Sequence, residues 1–134
     1  MKKIPTDLEI LTIIYNRYED DFREFATEEP DKIARIRVPI DIEEVAEEAG
    51  VDEDMVFGRL YYHFNKKYSY RDESGDRITF FTSTKFEGIS VNFPLVASVL
   101  ADLKTENLKY RTSLWLAGGA MTVSIAALVF SVVA

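Results

Sequence analysis

Cysteine is absent from the 134-residue chain. No disulfide staple can form, and no extracellular setting is suggested. Histidine occurs once, as His63, so a zinc site has neither a cysteine nor a second histidine to draw on. A lone histidine among aromatics reads as a packed or surface residue. The acidic runs DEDM and DESGD lack the alternating ligands and terminal glutamate of a calcium loop. GxSxG, Walker and GxGxxG patterns are all missing. The sequence therefore points to no enzyme and to no cofactor.

The last 21 residues, LWLAGGAMTVSIAALVFSVVA over 114–134, lack charge altogether. About 20 helical residues rise roughly 30 Å, the thickness of a bilayer core. The hydroxyls of Thr122, Ser124 and Ser131 can return to helix carbonyls. The expectation is a single-pass, C-terminal transmembrane helix over 114–134. A signal peptide is excluded by position, and the charged approach discounts a lipid-anchor signal. Lys104, Lys109 and Arg111 precede the run, which places the N-terminal domain in the cytoplasm by the positive-inside rule. Tyr110 and Trp115 suit the headgroup level.

Net charge is −7 and unevenly spread. Residues 1–50 hold 7 basic and 14 acidic side chains; 51–80 hold 5 and 6; 81–113 hold 4 and 3. An acidic N-terminal half repels nucleic acid at long range and suits solubility or a basic partner.

Thr6 with Glu9 forms a capping-box pattern, and Leu8, Leu11, Ile14, Tyr15, Tyr18, Phe22 and Phe25 recur at helical spacing over about 6–26. TEEPD at 27–31 reads as a loop, and ARIRVPI at 34–40 as a short extended piece. Asp41 with Glu44 opens a second helix that Gly50 ends as a left-handed cap. Asp52 caps a third helix through about Asn65, with Glu53 and Asp54 in its first turn. YSYRDESGDRITFFTST carries two alternating runs around a turn, and 86–91 supplies a further extended run. Asn92-Phe93-Pro94 begins one long helix over about 94–133.

Helix, strand, helix, glycine turn, helix and hairpin, carried by DIEEVAEEAGVDEDMV and the segment around DESGD, resemble a winged helix-turn-helix domain over about residues 6–92. The fold class expected is α+β: that domain at 1–92, a helical stalk at 93–113 and the transmembrane helix at 114–134. The resemblance implies DNA contact through Arg59, Tyr62, His63, Lys66 and Lys67 on the third helix, which fall along one face at steps of 3, 1, 3 and 1. Arg71 and Arg77 flank the turn of the wing. Asp52, Glu53 and Asp54 at the helix start, and Asp72, Glu73 and Asp76 in the turn, depart from a DNA-binding pattern. The same surface therefore reads first as a protein-binding face.

A seam at alternating 3- and 4-residue steps runs from Val96, Val99 and Leu103 through Glu106, Tyr110 and Ser113 to Ala117, Ala120, Ser124, Ala127 and Ser131. Its distal members are small, which favours close helix approach and self-association. The function expected is a non-enzymatic, membrane-anchored interaction or scaffold module. The alternatives are a membrane-tethered transcriptional regulator and an oligomeric channel- or toxin-type effector. The partners implied are lipid through 114–134, a protein partner, DNA in the second reading, and a second copy through the C-terminal helix.

Overall fold

The computed structural model describes residues 3–28, 36–85 and 88–133, with side chains except those of 25–28 and 118–133. It is an α+β structure of four helical runs and small antiparallel sheets. The chain divides into two compact units, Met1–Leu100 and Ala101–Ala134.

Helix α1 spans Asp7–Glu28. The Thr6 hydroxyl accepts from the Glu9 amide at 3.1 Å, which satisfies one orphan donor of its first turn. Its apolar stripe buries Ile10, Leu11, Ile14 and Tyr18. Strand β1 (Arg37–Pro39) leads to α2 (Ile42–Ala49). Asp41 caps α2 by accepting from the amides of Glu43 and Glu44. Gly50 ends it at φ +74°, a conformation that penalises any Cβ. Asp52 stands at the N-cap of the next run but makes no side-chain capping bond.

That third run is three segments without a break: α3 (Glu53–Gly58), a π-helical segment (Arg59–Phe64) and α4 (Asn65–Tyr68). The Asn65 amide reaches back five residues to the Leu60 carbonyl at the end of the π segment. In an α-helix a four-residue step overshoots a full turn by ~40°. The wider π turn offsets that drift. Val56, Leu60 and Phe64 can therefore all be fully buried at steps of four.

Strands β2 (Tyr70–Arg71) and β3 (Arg77–Ile78) form a hairpin of two residues a side. In its turn, the Asp72 carboxylate accepts from Ser74 and from the Asp76 amide, and Gly75 takes φ +92°. Strands β4 (Phe81–Thr84) and β5 (Gly88–Asn92) pair next, and β5 also takes β1, in the order β1-β5-β4. The expected single hairpin is thus two. Val38 faces Val91, and Phe81 faces Val91, which places the buried side of the sheet against the helices.

Helix α5 spans Phe93–Val133. Buried Asn92 caps it by accepting from the Leu95 amide at 3.2 Å. Phe93 stacks on Tyr15 and Phe22, with Val96, Val99 and Leu100 buried beside it. The first compact unit thus extends to Leu100, past residue 92.

Two expectations for the C-terminal helix are corrected. Among the described residues, no helix is long and apolar enough to cross a membrane. The single-pass, tail-anchored reading of 114–134 falls with that, as do its lipid partner and the cytoplasmic placement drawn from the flanking cations. The charged side chains of Asp102, Lys104, Glu106, Lys109 and Arg111 interrupt the apolar character of α5 ahead of Leu114. The seam also loses its start as a free surface, since Val96 and Val99 are core residues of the first unit. Ala117 is exposed, whereas Ala120, Ser124, Ala127 and Ser131 lie outside the described side chains.

Candidate functional site

The seven residues expected to share one face of the third helix and its hairpin separate into two groups. Arg59, His63 and Lys67 turn toward the start of α1, where one carboxylate receives them. Asp7 accepts from the Arg59 guanidinium at 2.9 Å, pairs with His63 Nε2 at 2.9 Å and lies 3.9 Å from the Lys67 ammonium. The Tyr68 hydroxyl donates to the same carboxylate at 3.3 Å. Arg59 also donates to the Pro5 carbonyl at 3.0 Å. Burial raises the Asp7 pKa, but the His63 hydrogen bond and charge, followed by those of Arg59, outweigh it and hold the carboxyl below its ordinary value of 3.8. Burial, followed by the Asp7 charge, raises the Tyr68 phenol above its ordinary 10.0.

This arrangement takes Arg59 out of the face that the resemblance implies. The Arg59 side chain is only 20% exposed and is held by Asp7 and Pro5. Residues 59, 63 and 67, at steps of four, meet the Asp7 carboxylate together.

The second group lies between the end of the third helix and the β2–β3 hairpin. Tyr61, Asn65, Lys66, Ser69, Tyr70, Arg71 and Arg77 line an open concavity of about 520 Å³. Its floor is fixed. Asn65 Oδ1 accepts from the Ser69 hydroxyl at 2.9 Å and from the Phe81 amide at 3.3 Å, and Ser69 Oγ accepts from the Phe80 amide at 3.0 Å. Phe80 and Phe64 are buried behind it. Arg71 donates to the Gly75 carbonyl at 3.0 Å, which holds its guanidinium along the hairpin. Tyr62 is 74% exposed, with its ring edge-on to Tyr61 at 4.9 Å. Tyr61 stacks in turn on Phe57 at 5.7 Å.

Of the residues singled out from the sequence, Lys66, Arg71 and Arg77 line this concavity, and Tyr62 is exposed beside Tyr61. Sequence reasoning missed Tyr70, Asn65 and Ser69, and it did not single out Asp7. The signal for Tyr70 was the surplus of aromatics around the third helix. Nothing in the local pattern could have tied Asp7 to His63.

Compared with family models, with curated proteins and with solved structures, the chain matches none. The winged helix-turn-helix assignment is therefore withdrawn. The third helix also carries a π segment, and three of its basic residues meet Asp7 of α1.

Proposed function

We propose that this protein is a non-enzymatic interaction module that binds a protein partner through the tyrosine-rich face of the third helix and the β2–β3 hairpin. The observation that carries this reading is the exposure of Tyr62 beside Tyr61 and Tyr70, each more than half exposed. Tyrosine offers a large, rigid, amphipathic contact at low entropic cost, and it is enriched where proteins meet. The well-bonded floor of the concavity supplies the pre-formed surface such a contact needs. In its finer fold this reading takes α2, Gly50 and α3 as a helix–turn–helix unit followed by a small hairpin, which the element order supports.

DNA binding is the second reading, favoured by Lys66, Arg71 and Arg77 on one surface. Two features weigh against it. Arg59, His63 and Lys67 are engaged by Asp7. Asp72, Glu73 and Asp76 also put negative charge at the hairpin tip, where a duplex would bring phosphates.

A photo-crosslinking phenylalanine analogue in place of Tyr62, compared with one in place of exposed Glu43 on α2, tests the reading in cells that express the protein. A discrete protein adduct at position 62 alone is expected. A nucleic-acid adduct, or the same adducts at both positions, would overturn it.

A further inference from the structure

We infer that the concavity between α4 and the β2–β3 hairpin takes a short acidic peptide segment, with Lys66 and Arg77 holding its carboxylates. This rests on the interaction-module reading and adds to it the chemistry of the ligand.

The argument begins with how this chain treats its cations. Acidic side chains outnumber basic ones 23 to 16. In the first compact unit, Lys3, Arg17, Arg23, Arg59 and Lys67 each pair with a carboxylate. Arg37, Lys66, Arg71, Arg77 and Lys85 make no ion pair among the described residues, and three of these, Lys66, Arg71 and Arg77, line one concavity. Gathering like charges is unfavourable, and an anion bound among them relieves the repulsion. Arg71 is partly engaged by Gly75 O, so Lys66 and Arg77 are the groups left to bind.

The surroundings limit the length of that anion. Asp72, Glu73 and Asp76 lie in the hairpin turn between Arg71 and Arg77, and Asp52, Glu53 and Asp54 stand at the opposite end of the third helix run. A duplex carries its charge on without interruption, about one per 1.7 Å of axis, and would run onto these acids. Two or three carboxylates of a peptide would not. The rings of Tyr61 and Tyr70 flank the cations and give the peptide's backbone and stems an apolar, hydrogen-bonding wall. A guanidinium can hold a carboxylate with two parallel bonds, which suits Arg77 to a fixed glutamate or aspartate.

The test uses the full chain at low salt with three labelled probes: hexaglutamate, hexathymidylate and a short DNA duplex, read by fluorescence anisotropy. Saturable binding of hexaglutamate is expected. It should weaken at least ~tenfold when Lys66→Glu and Arg77→Glu are combined, and should hold when Lys85→Glu removes an unpaired cation elsewhere. If the charge-reversed pair melts early, Lys66→Gln with Arg77→Gln keeps the same comparison. Absence of saturable hexaglutamate binding, equal weakening by Lys85→Glu, or tighter binding of either nucleic acid would overturn the inference. If hexaglutamate fails while Tyr62 still crosslinks to one protein, the acidic ligand falls and the interaction module stands.

Discussion

Asp7 is the residue on which the inner face of the third helix depends. Its side chain is 19% exposed and that of Arg59 20%, so their contact is largely withdrawn from water. Removing the charge leaves Arg59 and His63 facing a neutral amide. Asp7→Asn is expected to cost about 1–3 kcal/mol, read from urea unfolding at neutral pH. The pKa of Asp7 is lower in the folded state, so its contribution is fully present above its unfolded value near 3.8 and is lost as pH falls through the folded value. The gap between wild type and Asp7→Asn should therefore persist at about pH 5 and narrow by about pH 3. A gap that stays constant over that range would remove Asp7 as the titrating group. Tyr18 is a second such point. Its hydroxyl accepts from the Asp41 amide at 2.7 Å, and so ties α1 to the cap of α2. Tyr18→Phe leaves that amide without its partner and is expected to cost about 1–2 kcal/mol by the same measurement. Neither contact was legible beforehand. Periodicity showed that Tyr18 faces inward, but a bond spanning 23 residues, or 56 in the case of His63 and Asp7, leaves no trace in local spacing.

At the scale of elements, most of what was legible came from caps and turns, because these are set by residues two to four apart. Asp41 and Gly50 bound α2 as their chemistry requires. Asp52 shows the limit of that logic: it occupies the N-cap position with no side-chain bond. Asp41→Ala should cost about 1 kcal/mol, whereas Asp52→Ala should stay within about 0.5 kcal/mol, since only the first loses a capping bond. Comparable losses in thermal or urea unfolding would show that the caps act through the helix dipole alone. The π segment was not legible at all. A pattern search at 100° per residue assigns Arg59, Tyr62, His63, Lys66 and Lys67 to one face. Across the wide turn Arg59, His63 and Lys67 meet Asp7, while Lys66 lines the concavity beside the hairpin. The candidate site thus follows from a local departure in helix pitch that side-chain chemistry does not announce.

At the scale of the whole molecule, the question is where the first folding unit ends. Sequence alone set the boundary at residue 92, because the hairpins stop there and a helix of different character begins. Burial sets it later. Phe93, Val96, Val99 and Leu100 are all buried, and Phe93 stacks on both Tyr15 and Phe22 of α1. The Phe93 amide also donates to the Ile36 carbonyl at 2.8 Å, which ties the start of α5 to the entry of β1. Each large apolar side chain withdrawn from water contributes roughly 1.5–3 kcal/mol. Losing four of them would remove an amount comparable to the entire stability of a small domain, about 5–15 kcal/mol. A fragment of residues 1–100 should therefore unfold cooperatively, with a single sigmoidal transition by circular dichroism. A fragment of residues 1–92 should show no such transition. The two differ by eight residues of one helix, so a folded 1–92 fragment would mean that the core closes without α5 and that its first two turns only cover a surface already complete.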